Sequence, residues 1–166
     1  MFSIDHYLAS IQPNLEKHTD QLIEELQNIT SYKFDEAVDL IDFSAFLEPT
    51  SFELSIMMFS MDKDANEVFG EDVSPTNFAG SLEILPGISY YHLPDEQYEP
   101  FWEAYEQRAE ELEMKEQQIF TDWFIACWNK ANGSEIQLPT YFGFHDQTRS
   151  YYLQKSKFVE DEEKWV

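Results

Sequence analysis

The chain has 166 residues, of which 33 are acidic and 10 are basic, so its formal net charge is −23 at pH 7. A charge of this sign and size argues against direct binding to nucleic acid or to an anionic membrane, since both require a basic surface. Apolar residues make up 43% and charged residues 26% of the composition, which is typical of a globular protein and not of a disordered one. We therefore expect a single globular domain over residues 1–166.

The cysteine content and the N-terminus bear on the cellular compartment. Cys127 is the only cysteine, which rules out a disulfide within the chain and suits a reducing environment. The first residues, from Met1 to His6, do not show the basic region and apolar run of a signal peptide, and the sequence has no stretch of about 18 apolar residues. The sequence thus predicts a cytoplasmic protein without a membrane-spanning segment.

The first part of the chain, residues 1–33, has the periodicity of helix. Leu15, Leu22 and Leu26 recur at helical spacing while acidic residues occupy the positions between them. Pro13 is placed to open the main helix at its first turn, after a short helical turn over residues 3–11. We expect a helical N-terminal segment that packs through its leucine face.

The period then changes from helix to strand. Residues 38–46 and 52–62 are rich in β-branched, aromatic and methionine side chains, and the segment between them has turn composition, which predicts a β-hairpin. Strand character returns at 82–85 and 88–93, with Pro86-Gly87 predicted as the turn between them. Near the C-terminus the pattern predicts strands at 141–144 and 151–158, followed by a solvated acidic tail over 160–166.

The longest predicted element is one helix from about Asp95 to Asn132, which Gly133 would end. An apolar stripe runs along it in steps of three and four residues, and Glu116 is its one polar interruption. The members of the stripe are Tyr98, Trp102, Tyr105, Ala109, Leu112, Ile119, Trp123 and Cys127. Together with the other segments, this helix predicts an α+β fold: a single domain with a mostly antiparallel β-sheet, an N-terminal helix and one long helix packed against it.

Sequence signatures of catalysis are missing. The chain has no glycine-rich phosphate loop, no paired cysteines, no helical two-histidine motif and no serine elbow. Residues 62–66 match the first ligand positions of a calcium loop, but Glu67 stands where that loop needs glycine. Cys127 lies among tryptophans and lacks the basic setting of a reactive thiol. We therefore predict no catalytic residue, no metal site and no cofactor; a small hydrolase that uses His92 or His145 is the enzymatic alternative.

Glutamates form a second pattern along the predicted long helix, each one residue after a member of the apolar stripe. This spacing places them on one helical face about 100° from the stripe. Like charges so spaced destabilise a helix by roughly 0.2–0.5 kcal/mol per pair, and the nearby bases Arg108 and Lys115 are both positioned to pair with Glu111 instead. We predict that this face binds a partner through Glu99, Glu103, Glu106, Glu110 and Glu113, with Trp102 and Tyr105 as anchoring rings. A merely solvated helix face is the alternative, because glutamate is a good helix former.

In charge, size and an aromatic content of 16%, the chain resembles the small acidic inhibitors and immunity proteins with which bacteria neutralise basic nuclease toxins. The resemblance covers those three properties and no aligned motif. It implies an intracellular protein that blocks a basic active site with carboxylates and aromatic rings, and so an acidic protein-binding module with a basic protein partner. The alternative binding hypothesis is a DNA mimic, in which carboxylates imitate phosphates to occupy a DNA-binding protein.

Overall fold

The computed structural model describes residues 3–70 and 74–165 and has an α+β architecture, with helices packed on a six-stranded sheet. Met1, Phe2 and Val166, at the ends of the predicted helical segment and the predicted tail, lie outside the described residues. The helices are α1 (Ile4–Glu16), α2 (Thr19–Thr30), α3 (Tyr98–Gln107) and α4 (Ala109–Lys130), and three short 3-10 helices cover Asp95–Gln97, Gly133–Glu135 and Asp161–Trp165.

The sheet has the strand order β3-β2-β1-β4-β5-β6. The strands are β1 (Leu40–Glu48), β2 (Glu53–Met61), β3 (Ser81–Ser89), β4 (Thr140–Phe144), β5 (Arg149–Tyr152) and β6 (Lys157–Glu160). Neighbouring strands are antiparallel except for β1 and β4, which are parallel. This confirms the predicted α+β class with its mostly antiparallel sheet, and β1 and β2 form the expected hairpin.

The core lies between the helices and one face of the sheet and consists largely of aromatic rings. Alternate residues of β1, among them Phe43, are fully buried on this face. Phe124 of α4 lies 5.2 Å from the ring of Phe43 and stacks on Phe142 of β4 at 4.3 Å. The abundance of aromatic residues therefore builds the core, because each ring buries a large apolar area.

Pro13 does not open a helix; it lies inside α1, near its C-terminal end. Ser3 caps this helix, with its hydroxyl accepting a hydrogen bond from the backbone N–H of His6 at 3.4 Å. Proline removes the N–H that would bond to the carbonyl of Ala9, but Ala9 is exposed and water can satisfy that carbonyl. The helical structure is instead interrupted at residues 17–18, between α1 and α2.

The turn predicted at Pro86-Gly87 is absent from the described chain, because both residues belong to the continuous strand β3. The register with β2 shifts at this point: Leu54 pairs with Ile88, whereas Ile56 pairs with Leu85. β3 is an edge strand, so the N–H that proline lacks need not enter the ladder, and the extra residue is absorbed as a bulge.

The predicted helix from Asp95 to Asn132 is divided at Arg108, whose backbone leaves the helical region (φ −133°, ψ 25°). A straight helix would separate residues 105 and 116 by about 16 Å along its axis. In the structure, however, the hydroxyl of Tyr105 donates a hydrogen bond to the carboxylate of Glu116. The break at Arg108 therefore redirects the chain so that Tyr105 of α3 reaches Glu116 of α4, and α4 is the longer of the two helices.

The acidic residues after Glu160 were expected to form a solvated tail, but Asp161–Trp165 forms a 3-10 helix that packs on the sheet. Lys164 is buried, and its Nζ lies 3.1 Å from Asp42 Oδ2 and 3.2 Å from Asp161 Oδ1. A second apolar cluster, which includes Leu40, Tyr141 and Val159 with Trp165 packed against it, surrounds this contact. The ion pairs of the buried Lys164 side chain and these apolar contacts hold the segment in place.

Within residues 3–70 and 74–165, no helix combines the length and the apolar character needed to cross a membrane.

Candidate functional site

The five glutamates of the predicted partner-binding surface are all exposed, but they lie on two helices. Glu99, Glu103 and Glu106 belong to α3, whereas Glu110 and Glu113 belong to α4. Because the backbone turns at Arg108, the spacing of four, three, four and three residues no longer defines one helical face. We call these five residues the acidic rows: a row of three on α3 and a row of two on α4.

The nearby cations pair elsewhere. Arg108 lies 3.0 Å from Glu111 and 4.0 Å from Asp5, and Lys115 lies 2.8 Å from Glu111. Side-chain hydrogen bonds from Arg108 and then Lys115 lower the pKa of Glu111 to about 2. None of the ion pairs formed by the described residues involves the acidic rows. Their negative charge is therefore not balanced by a salt bridge in this part of the chain.

The two predicted anchoring rings pack inward. Trp102 is half-buried and stacks on Phe52 at 6.0 Å, and its indole Nε1 is buried without a hydrogen-bond partner among the described residues. Tyr105 is also half-buried, 5.5 Å from Trp102, and its hydroxyl donates to Glu116. Both rings thus contribute mainly to the core beneath α3, and only part of each remains available at the surface.

A more exposed ring lies at the start of α3, where sequence reasoning placed it in the apolar stripe. Tyr98 is 51% exposed. It lines a shallow concavity of about 570 Å³ together with Asp95, Glu96, Glu99 and Pro100. Carboxylates are favoured at a helix N-terminus because the helix dipole is positive there. Pro100, which the sequence places in the first turn of this helix, lies in the first turn of α3, after the 3-10 helix Asp95–Gln97. An apolar stripe need not remain buried at such a helix start.

Glu116, the polar interruption of the stripe, is a buried carboxylate with two phenol donors. It is 7% exposed and accepts hydrogen bonds from the hydroxyls of Tyr7 and Tyr105. Burial raises its pKa, hydrogen bonds from Tyr105 and Tyr7 oppose this rise, and the charge of Glu113 adds to it. Burial likewise raises the pKa of Tyr7 far above its usual range. Glu116 lines none of the four concavities described for residues 3–70 and 74–165, so its role in this structure is to join helices.

The histidines of the hydrolase alternative lie apart from any such concavity. His145 is exposed and stacks on Phe46 at 4.6 Å, and His92 is exposed in the loop before α3. Neither is a lining residue of the four best-formed concavities in the described part of the chain. Residues 3–70 and 74–165 also contain no group of three or more histidine, cysteine, aspartate or glutamate side chains arranged to hold a metal ion.

Cys127 is almost completely buried and lies at a concavity of about 380 Å³ between α4 and the junction of α1 with α2. Beside it, the indole of Trp123 donates to the hydroxyl of Thr19 at 2.9 Å. Burial raises the pKa of the Cys127 thiol to about 11. Because the thiolate is the reactive form, this cysteine has no suitable state for nucleophilic chemistry near neutral pH.

No family model, no curated protein and no solved structure matches this chain. Evidence about its function therefore comes from the geometry and the charge of its own residues.

Proposed function

We propose that this chain is an acidic protein-binding module of the inhibitor or immunity type, which binds a basic protein through the acidic rows. The observation that supports the proposal is that all five glutamates are exposed and that none forms an ion pair with another described residue. Like charges at helical spacing repel each other, and a basic partner would relieve this repulsion when it binds. Complementary charge also accelerates association.

Tyr98 supplies the apolar part of this proposed interface. Its ring is 51% exposed and lies beside Glu99 at the start of α3. Tyrosine is enriched in binding hot spots because it offers a large rigid ring together with a polar group. An arginine or lysine of the partner could stack on this ring while it pairs with the adjacent carboxylates. The partner surface is therefore expected to contain several basic residues.

The test compares two variants of equal charge. In the first, Glu103, Glu106, Glu110 and Glu113 are all replaced by Gln. In the control, the same replacement is made at four exposed glutamates outside the acidic rows, namely Glu24, Glu36, Glu48 and Glu135. Both variants lose the same number of charges, so any effect of net charge alone on the affinity for the partner is the same in both.

Immobilised wild-type protein, the row variant and the control variant would be used to capture partners from a cell extract at about 0.15 M salt. The dissociation constant of the captured protein would then be measured for each. We expect the wild type and the control to bind similarly and the row variant to bind about tenfold more weakly or worse. Equal affinity of the row variant and the control would refute a role for the acidic rows.

The identity of the captured protein distinguishes the immunity-type function from the alternative, a DNA mimic. Duplex DNA carries one charge per roughly 1.7 Å of axis, whereas glutamates three or four residues apart on a helix lie about 5 Å apart. One row therefore imitates the charge density of DNA poorly, which favours the immunity-type function. Capture of a DNA-binding protein that a short duplex displaces would favour mimicry instead.

A further inference from the structure

A different surface lies between α4 and the end of the sheet formed by β5 and β6, and we call it the α4–β6 groove. Its volume is about 290 Å³, at the small end of the range for ligand pockets. Phe142 and Phe144 of β4 are buried and lie between the two walls. The other lining residues are Met114, Gln117, Gln118 and Thr121 of α4, and Gly143, Gln147, Arg149 and Phe158 of the sheet and its turn.

The charge of this groove differs from that of the rest of the chain. Asp and Glu account for 33 of 166 residues, yet none of the ten lining residues is acidic and one, Arg149, is basic. Arg149 forms no ion pair with any residue of the described ranges, although Glu160 faces it across β5 and β6. Arg108, the only other arginine, pairs with Glu111 and Asp5. Of the two arginines, the one without an ion pair among the described residues is therefore the one that lines this groove.

The guanidinium is also held in position. Its Cζ lies 4.0 Å from the centre of the Phe158 ring, which is a cation–π arrangement. A side chain that is already ordered loses less conformational entropy when a ligand binds. Arg149 is thus prepared for a planar acceptor, such as a carboxylate, that accepts hydrogen bonds from two of its three nitrogens.

The groove also contains neutral polar side chains. Thr121 is only 3% exposed, and its side chain forms no hydrogen bond with another described residue. Its hydroxyl oxygen is not among the fully buried side-chain atoms that lack a partner, so this oxygen is open to the groove. The side-chain amides of Gln117 and Gln147, which also line the groove, form no hydrogen bond within residues 3–70 and 74–165 either. Several polar groups that water can reach therefore line one small cavity together with Arg149.

The groove also presents apolar surface. Met114 is 68% exposed and Phe158 is 42% exposed, and they lie on opposite sides of it. Methionine adapts readily to the shape of a ligand because its side chain is flexible and polarizable. An apolar group placed between these side chains would also lie near the rings of Phe142 and Phe144.

We propose that the α4–β6 groove binds a carboxylate attached to an apolar group of about the size of one amino-acid side chain. Arg149 pairs with the carboxylate, and Thr121 and Gln117 supply further hydrogen bonds. The apolar group inserts between Met114 and Phe158. Two kinds of molecule have this chemistry: a free small acid, and the C-terminal residue of a peptide.

The test is a titration of the isotopically labelled protein, followed by NMR. The probe is N-acetyl-L-phenylalanine, and the matched control is N-acetyl-L-phenylalaninamide, which keeps the ring but lacks the carboxylate. We expect saturable shifts at the Arg149 Nε–H and the Met114 methyl group, and affinity for the amide about tenfold lower. Arg149→Gln should weaken binding of the acid by a similar factor, whereas Arg108→Gln should leave it unchanged.

Equal binding of acid and amide, unchanged binding by Arg149→Gln, or shifts confined to other parts of the protein would each overturn the proposal. A peptide ending in phenylalanine, with a free or an amidated C-terminus, distinguishes the two sources. Tighter binding of the free-ended peptide than of N-acetyl-L-phenylalanine supports a chain terminus as the ligand. Similar affinity for both supports a free acid.

Discussion

The hydroxyl of Tyr7 in α1 donates a hydrogen bond to the carboxylate of Glu116 in α4, 109 positions later in the chain. Tyr105 in α3 donates a second hydrogen bond to the same carboxylate. The three residues belong to three different helices, so one buried side chain links all of them. A carboxylate in this position is stable only while its donors remain, because an unsatisfied buried charge is costly.

Tyr7→Phe removes one of these donors and almost no volume. Hydrogen bonds to charged groups contribute about 1.5–3 kcal/mol, so we expect the free energy of unfolding at pH 7 to fall by about that amount. Urea denaturation measures it. Tyr98→Phe is the control, since that ring is half exposed. In a Glu116→Gln background the cost of Tyr7→Phe should be smaller; equal costs in both backgrounds would mean that the two side chains are not coupled.

The stability of the protein should also depend on pH through Glu116. Burial raises the pKa of this carboxyl in the folded state, and the hydrogen bonds from Tyr105 and Tyr7 oppose the rise only in part. A group with a raised folded pKa contributes its full stability below its unfolded pKa, about 4.3 for Glu, and that contribution is lost as the pH rises through the folded pKa.

Wild-type protein should therefore lose stability relative to Glu116→Gln, which does not titrate, as the pH is raised from about 4 to 8. Denaturation of both proteins at a series of pH values gives this difference, and the other titrating groups cancel in it. A difference that is independent of pH, or that grows in favour of the wild type, would show that burial does not dominate at this site.

Part of this arrangement was visible in the sequence. Glu116 stands out as the polar interruption of an apolar stripe, and the period-two pattern of residues 52–58 predicts strand β2. The donors of Glu116 were not predictable. Tyr7 is remote in the chain, and Tyr105 reaches the carboxylate only because the backbone breaks at Arg108. The apolar pattern continues on both sides of Arg108, and arginine has a high helix propensity. The sequence pattern therefore did not indicate this break.

The C-terminal segment shows the same limit. Lys164 follows four acidic residues, and this composition predicts a solvated tail. Its partner Asp42 lies 122 positions earlier, on β1. A contact between residues so far apart depends on the strand order of the finished sheet, which local composition does not encode. The exposed ring of Tyr98 and the α4–β6 groove were missed for a related reason, because exposure depends on which neighbouring elements cover a residue.

Lys164→Met tests this ion pair. The Lys164 side chain is 3% exposed, and its loss would leave Asp42, whose side chain is 21% exposed, without its cation. Removing one partner of a fully buried pair costs about 3–5 kcal/mol. Because water partly reaches Asp42, we expect a loss of stability below that range in urea denaturation. Lys155→Met, at an exposed position, is the control. Adding Asp42→Asn should recover part of the loss; no recovery would mean that Lys164 acts through packing alone.

Cys127 should be unreactive in the folded protein. Burial raises its thiol pKa to about 11, so at pH 8 its thiolate population is roughly two hundredfold smaller than that of a free cysteine with pKa near 8.5. Alkylation with iodoacetamide at pH 8, followed by mass spectrometry, should be at least that much slower than in urea-unfolded protein. Labelling at similar rates in both states would show that the thiol is accessible in the fold.

The end of α4 allows a prediction about Gly133, which sequence reasoning assigned as the helix terminator. The left-handed position is in fact occupied by Asn132 (φ 58°, ψ 42°), which asparagine tolerates. Gly133 is needed for a different reason. A Cβ atom there would overlap the ring carbons Cδ2, Cε2 and Cε3 of Trp128, which is itself buried.

Gly133→Ala must therefore displace a buried indole, and overpacking of this kind costs about 1–3 kcal/mol or more. Asn132→Gly is the matched control, because glycine adopts the left-handed conformation without strain, and its stability should stay close to that of the wild type. Thermal denaturation and the near-UV signal of tryptophan report both effects. Unchanged stability and an unchanged tryptophan signal in Gly133→Ala would show that the close packing of the Trp128 ring on Gly133 does not contribute to stability.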